Sequence, residues 1–322
     1  MNEEKDFPKT LVEAVKYFAD LDVAHNFVAS MRWPDGKVIC PRCGSSRVSF
    51  TAKRRVWTCS ACTPRRQFSV KVGTIMEDSP IPLDKWLVGM WLIMSAKNGI
   101  SSYELHRALG ITQKSAWYLG HRIRLSFQRG LWGGKMKGVV EADETYIGAK
   151  ARYMHKHRRT GVGDAGIKKT AVQGILERTK GSKASRVVLK VVQTTRRPEL
   201  CGNVREYVLE GSTVCTDALM SYDDLSKDYD RQIVDHLKAY VNGKVHTNGL
   251  ENFWSLLKRC LKGTYVNVEP FHLFRYCDEQ TFRFNERKAT DSERFLSAVP
   301  SIVGRRLTYK GLTGNVEVTG TP

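Results

Sequence analysis

Three acidic side chains stand in settings where they could do chemistry: Asp143 in VVEADETYIG, Asp217 in STVCTD, and Glu251 in HTNGLENFWSLLKR, thirty-four positions beyond Asp217. Mg²⁺ takes oxygen ligands, needs only one or two from protein, and works in pairs about 4 Å apart in enzymes that cut or join phosphodiesters. Separated carboxylates of this kind predict a site for Mg²⁺ or Mn²⁺. Each has a plainer reading. Strand periodicity puts Glu141, Asp143 and Thr145 on one face and Ala142, Glu144 and Tyr146 on the other, and does not choose between Glu141 and Asp143. Asp217, just past a short β-branched run, is also a fair loop or N-cap residue. Asn248 followed three positions later by Glu251 has the form of a capping box. On a helix, however, Glu251, Ser255, Lys258 and Lys262 share one face, and Leu250, Trp254, Leu257 and Leu261 share another. A carboxylate and Lys258 two turns apart could hold a metal and the adjacent phosphate, with Trp254 in the core.

A second constellation is sulfur. Cys40, Cys43, Cys59 and Cys62 form two C-x₂-C pairs with fifteen residues between Cys43 and Cys59. Zn²⁺ binds four soft donors tetrahedrally, and a two-residue spacer lets both thiolates of one tight turn reach the same ion. The spacing predicts a structural zinc ribbon. Arg54 and Arg55, which open RRVW, the second of its strand-like runs after RVSF, are its expected DNA contacts.

The chain that must position these groups is strongly basic. Its 322 residues carry 52 Lys and Arg against 33 Asp and Glu, a formal charge of +19 with pI near 9.6. Such an excess steers a protein toward phosphate backbones and makes binding salt-dependent. The N-terminus is acidic without an apolar h-region, and the longest apolar run, Trp86 to Met94, is far shorter than the roughly 20 residues of a membrane span. A cytoplasmic, nucleoid-associated protein without membrane contact is expected. The other four cysteines, Cys201, Cys215, Cys260 and Cys277, are scattered singly, so no disulfide framework is implied.

Residues 10–32 have apolar spacing compatible with one lead-in helix, ended by the turn WPDG. From Pro82 to about Arg129 the pattern is helical. Ser101–Leu109, a turn at Gly110, and Gln113–Phe127 fit a helix-turn-helix with Ser101 or Thr112 as N-caps. Its second helix is expected to expose Gln113, Lys114, Arg122 and Arg124 to DNA. The period then changes to strands in VVEADETYIG, KTAVQGILER and SRVVLKVVQT, joined by a basic, Gly-containing loop over 150–169. A helix near Pro198, the strand STVCTD and helices from Thr247 to Arg287 complete a mixed α/β domain. The last thirty residues read as a poorly structured end.

Together, CPRCG with its second CxxC, the helical pair, DETYIG, TDALMSY, and HTNGLENFWSLLKR followed by RYCDEQTFRFNER resemble the ISXO-type insertion-sequence DDE transposases with an N-terminal zinc ribbon, over residues 15–290. The resemblance implies an RNase H-like mixed-sheet core with Asp143 and Asp217 as first and second ligands. It puts the third ligand in HTNGLEN, for which we choose Glu251 as the better Mg²⁺ ligand, with Lys258 as accompanying base. The implied organisation is a lead-in (1–36), a zinc ribbon (37–72), a helix-turn-helix domain (80–130), the catalytic domain (136–290) and a tail (291–322). The implied partners are duplex DNA at transposon ends and target, with a homodimer or larger assembly on DNA. The implied activity is Mg²⁺-dependent strand cleavage and transfer. Two other classes share the features: a zinc-containing DNA-binding regulator with a silent RNase H-like domain, and a structure-specific nuclease.

Overall fold

Asp20 divides the expected lead-in helix in two. In the computed structural model, which describes residues 7–128, 133–148, 169–179, 184–234 and 246–314, helix α1 runs Leu11–Ala19 and α2 runs Leu21–Arg32. Asp20 has extended backbone, ends the first helix, and accepts from the Asp22 N–H to cap the second. Apolar spacing is blind to such a break, because a short side chain competing for backbone N–H groups keeps the periodicity while turning the chain.

Contacts divide the chain into two units, residues 1–129 with 289–322, and residues 130–288. In the first, strands β1 (Val48–Thr51), β2 (Val56–Cys59) and β3 (Gln67–Phe68) form an antiparallel sheet. Helices α3 (Leu83–Ser95), α4 (Ser102–Leu109) and α5 (Gln113–Leu125) follow. Ser101 caps α4 in a full capping box with Glu104, Gly110 ends it at positive φ, and Thr112 caps α5.

The C-terminal segment does not behave as a tail. Residues 291–314 fold into the first unit as helices α9 (Asp291–Ala298) and α10 (Tyr309–Thr313). Phe295 is fully buried, with ring centroids 5.2–6.1 Å from those of Phe7, Phe18, Phe27 and Trp91. The Ile75 N–H donates to the Ile302 carbonyl at 3.0 Å. Low apolar density concealed this, because a few large side chains inserted among other aromatic rings bury as much area as a longer periodic helix.

The second unit is a five-stranded mixed sheet between helices. Strands β4 (Val139–Ile147), β5 (Thr170–Glu177), β6 (Arg186–Val192), β7 (Thr213–Thr216) and β8 (Asp230–Ile233) lie in the order β6-β5-β4-β7-β8. The first three run antiparallel, and β7 and β8 add parallel to β4. One face, with Val140, Ala142 and Ile175, packs on helix α6 (Arg197–Tyr207) and the 3-10 segment Met220–Lys227. The opposite face, with Val172 and Leu176, packs on α7 (Asn248–Cys260) and α8 (Leu273–Asn285). This is the expected RNase H-like mixed sheet. Of the basic loop expected at 150–169, residues 150–168 lie outside the described residues.

Candidate functional site

Sheet register brings the first two carboxylates together. Parallel pairing aligns Val139 with Thr213, Val140 with Val214 and Glu141 with Cys215. Two residues further on stand Asp143, still within β4 and opposite Gly174 of β5, and Asp217, one residue past the carboxyl end of β7, the end where α/β folds place ligands. The Asp217 carboxylate accepts from the Leu219 N–H at 3.0 Å, a local turn that leaves the side chain half exposed.

Glu141 and Asp143, which strand periodicity alone does not distinguish, differ in their partners. Glu141 is fully buried and committed: it accepts from Arg178 Nε at 2.5 Å and from the Leu250 N–H at 2.8 Å. It therefore caps the N-terminus of α7 from the sheet, while Arg178 also donates to His246 Nδ1 at 2.7 Å. Gly249 permits this approach, since a Cβ there would stand 2.9 Å from both Glu141 oxygens. Asp143, on the same face of β4, accepts from Trp254 Nε1 at 2.8 Å. Burial pushes its carboxyl above the usual range; hydrogen bonds from Trp254 and the Glu144 N–H oppose that, and the charges of Asp217 and Glu251 add to it. Those two charges mark a shared electrostatic site.

The capping box expected at Asn248 and Glu251 is not formed. Thr247 is the N-cap, without a side-chain hydrogen bond, and the Glu251 N–H donates to the Thr247 carbonyl within the helix ladder. Glu251, Asn248 and Asn252 are exposed and Lys258 is half-buried, while Leu250, Trp254 and Leu257 are buried, as helical periodicity expects. Among the described residues, only the four cysteines form a set of three or more ligand groups within 4.8 Å of one another. The carboxylates stand wider than one coordination sphere.

On the reverse face, the sequence reading missed Glu144. Its carboxylate accepts from the Tyr222 hydroxyl, whose oxygen also accepts from Gln173 Nε2 at 3.2 Å. Burial pushes Glu144 up to about 7, Tyr222 opposes this, and the charges of Asp143 and Asp217 add to it. Strand alternation located Glu144 on that face; nothing in the sequence linked it to Tyr222, seventy-eight positions away.

The cysteine site is tight. Cys40 and Cys62 sulfurs lie 3.7 Å apart, and those of Cys43 and Cys59 3.6 Å. Sulfurs about 2.3 Å from Zn²⁺ in a tetrahedron have edges of about 3.8 Å, so the donor set fits Zn²⁺. Burial disfavours the Cys40 thiolate, but N–H groups of Arg42 and Cys43 outweigh it and bring the thiol down to about 7. Cys62 is pushed up to about 12, first by Cys43 and then by burial and its other sulfur neighbours. Zn²⁺ takes cysteine as thiolate, so binding would release the protons these thiols still hold.

The expected DNA contacts divide. Arg54 and Lys114 are exposed, Lys114 lying 4.9 Å over the Tyr309 ring. Arg55 is ion-paired with Asp22 at 2.5 Å, and Gln113 donates to Ser102 Oγ at 2.9 Å. Arg122 and Arg124 are not exposed as expected, being only 2% and 4% accessible. The Arg122 guanidinium lies 5.3 Å from the Trp86 ring centre and 5.1 Å from that of Tyr118, and donates to the Glu77 carbonyl. Planar, weakly hydrated guanidinium groups pack against aromatic faces in this way, which charge counting does not reveal. Among the described residues no helix is long and apolar enough to cross a membrane.

Residues 135–285 match the ISXO2-like transposase domain, and residues 21–65 match the transposase zinc-ribbon domain. Over 263 residues the chain is 30% identical to a Halobacterium salinarum protein described as an uncharacterized protein in transposable element ISH50, covering 77% of this chain and 85% of that one.

Proposed function

The chain belongs to the insertion-sequence DDE transposases that carry an N-terminal zinc ribbon, and on that premise we propose that it binds the terminal inverted repeats of its element and catalyses Mg²⁺-dependent strand cleavage and strand transfer. The observation that carries this reading is a placement: the parallel register of β4 and β7 sets Asp143 and Asp217 two residues past one aligned pair, and α7, which bears Glu251, is joined to Asp143 through Trp254.

Asp143, Asp217 and Glu251 would hold the ions, which when bound activate water and stabilise the leaving oxygen at a phosphodiester. Lys258, on the same helix face as Glu251, meets the neighbouring phosphate. Arg54 on the ribbon and Lys114 at the start of α5 contact the DNA backbone, and the ribbon with the α4–α5 pair recognises the element's ends. No covalent protein intermediate is required, because the freed 3′-hydroxyl is itself the nucleophile for joining. Bringing two ends together calls for a dimer or larger assembly.

The test uses the full-length protein, duplex DNA bearing the ends of its own element, and Mg²⁺. Cleaved and joined products are expected. Asp143→Asn and Asp217→Asn are each expected to lower the rate about 10³-fold or more, since metal-ion stabilisation amounts to several kcal/mol and each 1.36 kcal/mol is tenfold. Binding without cleavage by the native protein would identify a DNA-binding regulator, and cleavage without joining a nuclease. Parallel Glu251→Gln and Asn248→Ala variants assign the third ligand, with the larger loss expected from Glu251→Gln.

A further inference from the structure

Trp254 is a large core residue with an unusual partner. It is 5% exposed, and a buried indole N–H needs an acceptor. Its acceptor is Oδ2 of Asp143, at 2.8 Å, and not a backbone carbonyl. The slot that aims the ring is cut in the neighbouring strand. Antiparallel pairing puts Gly174 of β5 directly opposite Asp143. A Cβ on Gly174 would stand 2.7 Å from Cη2 and Cζ2 of Trp254 and 2.8 Å from Leu250, so only glycine lets the indole lie over β5 and reach across to the carboxylate. The helix bearing the ring is tied to the same strand two residues earlier, where Glu141 caps its N-terminus through the Leu250 N–H.

We propose that Trp254 is a positioning residue for metal binding, its indole N–H holding the Asp143 carboxylate in the orientation in which that group receives a divalent cation. The proposal rests on the reading of Asp143 as a Mg²⁺ ligand. The terminal torsion of an aspartate is soft, so a free carboxylate must be ordered when an ion binds. A donor fixed to one oxygen supplies that order beforehand. Indole suits the task because it only donates, so it neither competes for the ion nor offers a proton that could be lost. A carboxylate has about four acceptor directions, and the indole occupies one of them. The same bond sets the distance between β4 and α7, and hence where Glu251, three residues before Trp254, stands relative to Asp143.

The test compares the full-length native protein with Trp254→Phe, which keeps an aromatic ring and removes the N–H. Partners that orient metal ligands typically affect metal affinity by 10–100-fold, so the Mg²⁺ concentration for half-maximal cleavage is expected to rise about tenfold in Trp254→Phe. The rate at saturating Mg²⁺ should change much less. In protein labelled with ¹⁵N-tryptophan, the indole resonance missing from Trp254→Phe should move as Mg²⁺ is added to the native protein, without DNA or turnover. A lowered melting temperature with unchanged Mg²⁺ half-saturation, or an indole resonance insensitive to Mg²⁺, would overturn the proposal. Should Trp254→Phe fail to fold, Gly174→Ala, which displaces the ring without removing it, is expected to raise the half-saturation in the same direction. An unchanged value there would overturn the proposal as well. Asp143→Asn separates the two claims. If it abolishes Mg²⁺-dependent cleavage while Trp254→Phe leaves half-saturation unchanged, only the positioning role fails; if cleavage survives in Asp143→Asn, the metal-site reading fails with it.

Discussion

The zinc ribbon and the carboxylate site solve the same problem in opposite ways. In the ribbon, each pair of ligands comes from one tight turn, and a three-stranded sheet spanning about twenty residues brings the two turns together, with sulfurs 3.6–3.7 Å apart. In the second unit, Asp143, Asp217 and Glu251 come from two strands and a helix spread over more than a hundred positions, and they stay wider apart than one ion would require. The ribbon is a closed site whose ligands make the fold. The carboxylate site is an open one that an independent fold holds in place. Four matched sulfurs around one ion need no scaffold beyond their own turns. On the function proposed above, carboxylates that bind ions and admit a phosphodiester between them would need a scaffold that does not collapse onto the metal.

This contrast can be broken most directly at the ribbon. Structural Zn²⁺ contributes apparent binding free energies of roughly 10–16 kcal/mol in zinc-finger peptides, so Cys59→Ser, or zinc chelation, should unfold residues 37–72 outright. The expected readout is loss of the bound zinc and of binding to the element's ends. The second unit should keep its own melting transition, and a single shared transition lost on chelation would refute the separation.

A smaller effect is expected where the second unit relies on a buried ion pair. Glu141→Gln removes the carboxylate that accepts from Arg178 and weakens the cap on the Leu250 N–H, and breaking a buried ion pair costs about 3–5 kcal/mol. Chemical denaturation should show the loss in the second unit's transition with zinc content unchanged. Equal stability in the variant would mean that α7 is held by its apolar face alone.

Smallest is the division among the basic residues of α5. Lys114→Ala should weaken DNA binding a few-fold and reduce its salt dependence by about one phosphate contact, leaving stability intact. Arg122→Ala should do the reverse, lowering stability by about 1–3 kcal/mol, since it removes a buried guanidinium packed on Trp86 and Tyr118. Destabilisation by Lys114→Ala, or a steeper salt effect from Arg122→Ala, would reverse the assignment of inner and outer faces.

Local features were legible in the sequence because their causes are local. The C-x₂-C spacing sets the sulfur site, Ser101 and Thr112 cap α4 and α5, and the leucines of α7 face the sheet, each decided by residues within a turn or two. Asp20, Phe295, Arg122 and Arg124 were misread for the converse reason. A helix break between two compatible periodic runs, a single ring completing an aromatic cluster, and arginines enclosed by other helices depend on neighbours that composition and period do not register.

By itself, then, the sequence determined the cysteine cluster, the strand and helix types and the basic character, because ligand spacing, capping and periodicity act over a few residues. Only the tertiary structure shows how the two acids of β4 differ in their partners. Glu141 and Asp143 share a face, a strand and a chemistry. They differ only in what stands over them: Arg178 and the start of α7 consume the first, while the indole of Trp254, admitted by Gly174, holds the second beside Asp217 and Glu251. That difference comes from the register of β4 against β5 and β7 and from the docking of one helix, long-range pairings that no local pattern encodes.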